Sequence, residues 1–168
     1  MNTEIPLLTL SFIEWLEKQD TKTKTLLEFG SGDSTIYFSQ KFARVKSFED
    51  DINWLHHVEK RLLPANIHNV ELYQLNLSFY LQHPNIADDV QYVLIDNNPQ
   101  NISRLTIAKI LTQKLNYKGT LILDNSNWNP EAYFYLRKFY SFYEDFGWFN
   151  YAGEETITSV FSMAFNSI

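Results

Sequence analysis

The stretch that decides the fold is residues 26–40, LLEFGSGDSTIYFSQ. Two leucines lead into Glu28, Gly30 and Gly32 follow with one residue between them, and the apolar spacing then changes. This order is typical of a short buried strand that turns sharply into a helix, where backbone N–H groups can bind a ligand. We therefore predict a strand over residues 25–30 and a helix over residues 34–43.

The glycine spacing differs from that of a dinucleotide-binding loop. The dinucleotide fingerprint is Gly-x-Gly-x-x-Gly, and Thr35 stands where its third glycine would be. A carboxylate at Glu28, just before the loop, is an unfavourable neighbour for a pyrophosphate and a favourable one for an ammonium group. Without any ligand, the same loop could be a tight turn capped by Ser31, Asp33 or Ser34. The loop alone leaves both interpretations open.

Apolar strands and amphipathic helices alternate along the rest of the chain. We predict further strands at 44–49, 69–75, 90–96 and 118–124. The predicted helices cover 7–19, 51–63, 77–83, 100–115 and 130–143, and FGWFNY and TITSVFSMAF form a closing hairpin. Strands joined by helical crossovers form a parallel sheet that is covered on both faces. The predicted fold is an α/β, three-layer αβα sandwich whose last strand is antiparallel.

Length and composition place further bounds on the protein. The 168 residues suit one domain, 1–168, in which residues 1–24 are an N-terminal helical extension. The net charge is −6 and no basic run exists, so nucleic acid is an unlikely partner. There are no cysteines, which excludes disulfides and zinc–thiolate sites. We find no secretory start and no run of about 18 apolar residues, and we expect a cytoplasmic protein without a membrane span.

A polar residue stands at the end of each predicted parallel strand: Glu28, Glu49, Asn76, Asp96 and Asp124. Ligands of such sheets bind outside the carboxyl ends of the strands. Glu49 follows the loop at the distance of a residue that accepts hydrogen bonds from both hydroxyls of a ribose. A cation near the loop, a ribose at the second strand and no phosphate together favour S-adenosylmethionine. The loop N–H groups and the side chains of Ser34 and Thr35 would bind its carboxylate.

The order of these motifs resembles class I S-adenosylmethionine-dependent methyltransferases. LLEFGSGDST resembles their first motif, VKSFEDD the second, YVLID the fourth-strand motif and KGTLILDNSNW the fifth-strand motif. The resemblance covers about residues 26–165 and implies a Rossmann-like fold with a seven-stranded sheet of order 3-2-1-4-5-7-6. It also implies adenine contacts from Asn76 and Asp50, and it makes Asp96 the candidate catalytic residue. The implied cofactor-binding residues are Glu28, Gly30, Ser31, Gly32, Ser34, Thr35, Glu49, Asp50, Asn76 and Asp96.

Three oxygen-bearing side chains at the ends of the fourth and fifth strands form a candidate metal site. Asp96, Asp124 and Asn125 resemble the Mg²⁺ ligands of catechol-type O-methyltransferases. That subgroup carries a lysine base three residues after its first aspartate, whereas this chain has Pro99 there. In the alternative interpretation Asp96 contacts the cofactor, while Asp124 and Asn125 cap the next turn.

The predicted function is S-adenosylmethionine-dependent methylation of a small-molecule or sugar-type acceptor, of which O-methylation is one form. The alternative is a non-catalytic relative that acts as an interaction or cofactor-binding subunit, because no clear base is present. A nicotinamide-dependent oxidoreductase is a third reading, which Thr35 and Glu28 disfavour. Eleven of the nineteen residues from Tyr133 to Tyr151 are aromatic, and this C-terminal region could form a homodimer contact.

Overall fold

A seven-stranded sheet forms the centre of the protein, whose computed structural model describes residues 6–99, 101–150 and 152–163. The strands run in the order β3-β2-β1-β4-β5-β7-β6, and this confirms the predicted order. The first five are mutually parallel, and β7 is antiparallel to both β5 and β6. Their bounds are β1 Thr25–Phe29, β2 Arg44–Glu49, β3 Val70–Gln74, β4 Tyr92–Ile95, β5 Thr120–Leu123, β6 Phe142–Phe149 and β7 Glu155–Ser162.

Helices cover both faces of this sheet. Leu26 and Leu27, neighbours in β1, belong to two different buried clusters, as expected for a strand whose side chains alternate between faces. Phe12 and Phe38 come from helices on one face, and residues of three helices pack on the other face. The helices are α1 Leu10–Leu16, α2 Asp33–Ser39, α3 Ile52–Leu62, α4 Phe79–Gln82, α5 Arg104–Lys109 with a π-helical turn at Ile110–Lys114, and α6 Pro130–Phe139, which follows a 3₁₀ turn at Ser126–Trp128.

The register brings the strand ends to one level. Phe29 at the end of β1 pairs with Phe48 of β2 and with Ile95 at the end of β4. Ile95 in turn pairs with Leu123 at the end of β5. The residues that follow these strands therefore lie side by side along one edge of the sheet.

Several predicted helices are longer than the observed ones, such as those predicted over 7–19 and 34–43, which are Leu10–Leu16 and Asp33–Ser39. The helix predicted over 130–143 ends at Phe139, because Tyr140 has an extended backbone and residues 142–149 pair with β7. An aromatic run fits a helix and a strand almost equally well, and the partner strand decides between them. The helix predicted from residue 100 begins only at Arg104, where the Ser103 hydroxyl accepts a hydrogen bond from the backbone N–H of Thr106. Tyr151 and residues 164–165 of the predicted hairpin lie outside the described residues.

The N-terminal segment packs on the sheet. Phe12 of α1 is fully buried together with Leu8 and Leu16, and Thr9 forms an isolated antiparallel bridge with Asn150. Within the described ranges, no helix is long and apolar enough to cross a membrane.

Candidate functional site

A cavity of about 490 Å³ opens at the carboxyl ends of β1, β2 and β4. Seven of the ten predicted cofactor-binding residues line it, whereas Glu28, Thr35 and Asn76 do not. The lining residues are Leu7, Gly30, Ser31, Gly32, Asp33, Ser34, Glu49, Asp50, Asp51, Trp54, Asp96, Asn98 and Asn101.

Gly30 begins the loop and sits directly on the chain that follows β4. Its φ of +99° lies in the region that favours glycine. A Cβ atom there would lie 2.6 Å from the carbonyl oxygen of Asp96 and 2.8 Å from the backbone nitrogen of Asn97. The backbone N–H of Gly30 also donates to the carbonyl of Phe48, at 2.8 Å. Close backbone packing is therefore the reason for this glycine.

Gly32 serves a different purpose, because it faces open space. Its backbone is extended, and the nearest atom to a Cβ built there is Nε1 of Trp54, 4.0 Å away. The same Nε1 donates a hydrogen bond to the carbonyl of Ser31, at 2.7 Å, and so holds the loop against α3. Because Gly32 has no side chain, a recess is left in the wall of the cavity. We call this recess the cradle, and part of a ligand could occupy it.

Glu28 lies beneath the loop, and this changes the role expected for it. The side chain is completely buried, and the hydroxyls of Ser34, Thr35 and Ser47 each donate to its carboxylate at 2.6 Å. Burial raises the pKa of Glu28 to about 7, although these three hydrogen bonds oppose the shift. The hydroxyls of Ser34 and Thr35, which we expected to bind a ligand carboxylate, are thus directed at Glu28. The cause is position: Glu28 lies inside β1, and both faces of that strand are covered.

Glu49 and Asp50 form the wall of the cavity at the end of β2. The Glu49 carboxylate accepts hydrogen bonds from the backbone N–H groups of Ser31 and Asp51, both at 3.0 Å. Burial raises the pKa of Glu49 to about 7, and the neighbouring Asp50 adds to the shift. Oδ2 of Asp50 is buried without a hydrogen-bond partner. Such an oxygen is costly unless a donor reaches it, so this wall is suited to a ligand with hydroxyl or amino groups.

Asn76 takes no part in the cavity. Its Oδ1 accepts hydrogen bonds from the backbone N–H and the hydroxyl of Ser78, at 2.9 and 2.7 Å. Its Nδ2 donates to Gln82, at 3.1 Å. A short amide side chain next to a turn readily forms hydrogen bonds with the nearby backbone. The local backbone thus competes with a ligand for Asn76, and its position at a strand end does not indicate which of them it bonds.

The three residues predicted to bind Mg²⁺ are engaged with other groups. Asp124 is almost completely buried and accepts a hydrogen bond from the Thr158 hydroxyl at 2.6 Å. Nδ2 of Asn125 donates to the Thr156 hydroxyl at 2.9 Å. Asp96 lines the cavity, and one of its carboxylate oxygens is occupied by a buried arginine.

That arginine is Arg104, at the first position of α5, and no prediction from the sequence named it. Its guanidinium donates to the carbonyl of Asn97 at 3.0 Å, to Oδ1 of Asp96 at 3.1 Å and to the carbonyl of Asp124. A cation therefore already holds a carboxylate oxygen of Asp96 and the backbone carbonyl of Asp124, and the arrangement does not fit Mg²⁺. No motif marks such an arginine, because its partners are distant in sequence.

Asp96 and Asp124 lie close enough to affect each other's ionisation. Burial raises the pKa of Asp124 to about 8, and the charge of Asp96 adds to the shift. Burial also raises the pKa of Asp96, while Arg104 acts in the opposite direction. Burial and mutual repulsion therefore disfavour two charged carboxylates at this place, and Arg104 favours the charged form of Asp96. The described residues contain no cluster of three or more histidine, aspartate or glutamate side chains that could hold a metal.

Comparisons with known proteins rest on structure alone. No protein-family model and no curated protein matches the chain. Among similar solved structures, precorrin-6y C5,15-methyltransferase from Geobacter metallireducens GS-15 superposes with a TM-score of 0.67 at 15% identity, over 89% of this chain and 87% of that one. An rRNA methylase from Streptococcus thermophilus gives 0.65 at 14% identity, over 90% and 93%. An O-methyltransferase from Bacillus cereus in complex with SAH, the demethylated cofactor, gives 0.63 at 18% identity, over 83% and 74%.

These neighbours differ in the acceptors that their names imply, and identities this low show the fold alone. The strand order, the antiparallel β7 and the helices on both faces agree with them. The chain has the Rossmann-like fold of the class I S-adenosylmethionine-dependent methyltransferases.

Proposed function

We propose that the protein is an S-adenosylmethionine-dependent methyltransferase that acts on a small-molecule or sugar-type acceptor. The observation that carries the proposal is the cavity at the carboxyl ends of β1, β2 and β4. It combines the open cradle at Gly32 with the unpartnered Oδ2 of Asp50. This is the place where an open α/β sheet binds its ligand. We further propose that residues 1–168 form one domain around it.

The residues present fit this cofactor. The loop of Gly30, Ser31 and Gly32 would support its methionine part, Glu49 would accept hydrogen bonds from the ribose hydroxyls, and Asp50 would contact the adenine. When bound, the cofactor supplies a methyl group attached to a positively charged sulfur. The protein's own contribution is to hold the acceptor in line and to exclude water, and Asp96 lines the cavity at the end of β4, on the side where we place the acceptor.

The charge of the cavity supports an acceptor that is neutral or cationic. Among the described residues that line it there is no lysine, arginine or histidine. The acidic ones are Asp33, Glu49, Asp50, Asp51 and Asp96. A nucleic-acid backbone would be repelled from such a surface, because binding it requires basic side chains. A small molecule or a sugar suits the site better.

Calorimetric titration of S-adenosylmethionine and SAH tests the proposal, with wild type, Gly32→Ala and Gly32→Val compared side by side. The extended backbone of Gly32 accepts any residue, and the nearest atom to a Cβ there is 4.0 Å away, so folding should be preserved. The added methyl groups fill the cradle, and we expect affinity to fall about tenfold for alanine and about 100-fold for valine. Unchanged melting temperatures would show that only binding is affected.

Asp50→Asn and its control Asp88→Asn refine the same experiment. Asp88 is an exposed aspartate outside the cavity. We expect Asp50→Asn to weaken binding about tenfold, since the amide offers one acceptor oxygen where the carboxylate offers two, and Asp88→Asn to change nothing. If wild type binds neither compound, the cofactor proposal is wrong. Binding without turnover of any acceptor would instead favour the non-catalytic, cofactor-binding subunit.

The homodimer through the aromatic C-terminal region stays a prediction. Its support is that Phe142, Tyr143 and Phe149 of the edge strand β6 are exposed, as is Phe134 of α6. Other aromatic residues of this region are committed to the core, because Tyr140 is buried and Tyr133 packs on Phe161.

A further inference from the structure

The end of β4 and the end of β5 are joined by one buried side chain, that of Arg104. Only 6% of the side chain is exposed. Its Nε donates to the carbonyl of Asn97 at 3.0 Å, its Nη2 to Oδ1 of Asp96 at 3.1 Å and its Nη1 to the carbonyl of Asp124. All three contacts go to oxygens that directly follow β4 or β5. The guanidinium therefore lies among two backbone carbonyls and one carboxylate at the edge of the sheet.

Carboxylate and carbonyl oxygens are also the ligands that Mg²⁺ and Ca²⁺ prefer. A guanidinium offers these oxygens a fixed fork of N–H donors instead of a coordination sphere. A divalent cation beside it would bring like charges together in a poorly solvated place, where repulsion is strong. A metal ion and the guanidinium thus exclude each other at this point.

We propose that the Arg104 guanidinium is a built-in cation that takes the place of a divalent metal at the ends of β4 and β5. It neutralises Asp96 and ties the two strand-end loops together, so the acceptor side of the cavity is organised without a metal. In this role Arg104 is a positioning residue, because it acts through Asp96. The positioning role of Arg104 rests on the proposed function. The exclusion of a metal ion by Arg104 does not depend on that function.

Geometry around Asp96 supports the positioning role. The Asp96 side chain is 27% exposed, and it lines the cavity while Oδ1 is held by Arg104. The backbone N–H of Asp96 donates to the carbonyl of Phe29 at 2.8 Å, and its own carbonyl packs against Gly30. The side chain of Asp96 is thus restrained by Arg104, and its backbone is restrained by Phe29 and Gly30. A shift of Arg104 would therefore change the position of Asp96, and with it both the loop at Gly30 and the acceptor side of the cavity.

Mn²⁺ is the probe for the test, followed by calorimetry and by its electron paramagnetic resonance signal, with no cofactor added. The variants are Arg104→Met, Arg104→Lys and the control Arg44→Met, whose side chain pairs with Glu71 and Asp89 at the surface. We expect wild type and Arg44→Met to bind no Mn²⁺ at the strand ends, and their melting temperatures to be equal in chelator and in excess Mg²⁺. Arg104→Met should melt lower in chelator, bind Mn²⁺ at least about tenfold more tightly than the weakest binding that the titration detects, and regain stability with it.

Arg104→Lys keeps the charge but loses the fork, so its melting temperature should lie between those of wild type and Arg104→Met without any gain in Mn²⁺ affinity. A merely structural arginine would not produce a gain in metal affinity. The proposal is overturned if wild type binds one Mn²⁺ ion and the Asp124→Asn substitution abolishes that binding. It is also overturned if Arg104→Met melts like wild type, and this second criterion needs no metal. If Arg104→Met does not fold, the wild-type titration and Arg104→Lys still decide. None of these readouts requires the cofactor, so failure here is distinct from failure of the cofactor titration.

Discussion

Glu28 of β1 and Asp96 after β4 are neighbouring carboxylates at the same edge of the sheet, yet the protein stabilises them by different means. Glu28 is fully buried and its partners are three neutral hydroxyls, from Ser34, Thr35 and Ser47. Asp96 faces the cavity and is paired with the guanidinium of Arg104. The first region thus contains a buried acid without a counter-charge, and the second contains a charge pair.

The difference bears on what each carboxylate can do. Without a counter-charge, Glu28 has a pKa of about 7 and is neutral over part of the physiological range, so it suits a structural role beneath the loop. Burial also raises the pKa of Asp96, but the Arg104 guanidinium opposes that shift and favours the charged form, which suits a residue that faces a ligand. A carboxylate in a cofactor motif is therefore not by itself a ligand-binding group, because the surrounding donors decide its function.

The two regions touch at Gly30, where the largest effect is expected. Gly30→Ala combines a φ of +99° with a Cβ atom 2.6 Å from the Asp96 carbonyl oxygen. We expect the free energy of unfolding to fall by about 2–5 kcal/mol, the sum of backbone strain and overpacking. Urea denaturation measures it.

Gly153→Ala is the matched control for Gly30→Ala. Its φ is +81°, but nothing lies within 4 Å of its Cβ position. Only the backbone strain applies, about 1–2 kcal/mol. Equal losses for the two variants would mean that the contact between the loop and Asp96 contributes nothing, and the two regions would then be independent.

Glu28→Gln tests the acid that has no counter-charge. Since the folded-state pKa of about 7 lies above the ordinary 4.5, the folded protein keeps a proton that the unfolded chain releases between these values. The free energy of unfolding of wild type should therefore decrease as the pH rises through this window, by about 3 kcal/mol for this group, and level off above it. Glutamine does not titrate, so the variant should lose less stability over the same window.

Urea denaturation of wild type and Glu28→Gln at about pH 5 and about pH 8 measures the difference. Glu49 and Asp124 also have raised pKa values, to about 7 and about 8, but both proteins contain them and their contributions cancel. Parallel stability curves for the two proteins would show that Glu28 is ionised throughout, and the contrast with Asp96 would disappear.

The smallest effects concern single hydroxyls. Ser47 donates to Glu28 and contacts the Ser31 hydroxyl, while Thr158 donates to Asp124 and accepts from the backbone N–H of Thr9. Glu28 has no cation beside it in the described part of the chain, whereas the charge of Arg104 acts on Asp124. Loss of one donor should therefore cost more at Glu28, about 2 kcal/mol for Ser47→Ala against about 1 kcal/mol for Thr158→Val. Urea denaturation of both variants measures this ranking, and the reverse order would contradict the importance of the missing counter-charge at Glu28.

Much of the fold could be predicted from local patterns. The alternation of apolar strands and helices, the spacing of Gly30 and Gly32 and the polar residues after the strands all follow from neighbours within a few residues. For that reason the parallel strands and the position of the cavity agree with expectation. Residues 140–143 were wrongly assigned to the helix, because the residues that Phe142 and Tyr143 pair with, Ser162 and Phe161, are about twenty residues further along the chain.

The sequence by itself determined the alternation of strands and helices, the sharp loop after β1 and the polar residues at the strand ends, because side-chain periodicity and glycine conformations are local properties. The order of the strands was expected only from the family resemblance, and the structure confirms it. Only the tertiary structure decided that Glu28 lies under the loop, that Asn76 bonds to its own turn and that Arg104 lies at the candidate metal site. Those outcomes depend on which donors packing brings within about 3 Å of a buried oxygen, and desolvation makes that proximity matter. Asp124 and Arg104 are twenty residues apart, and only the packing of α5 on the sheet brings them together.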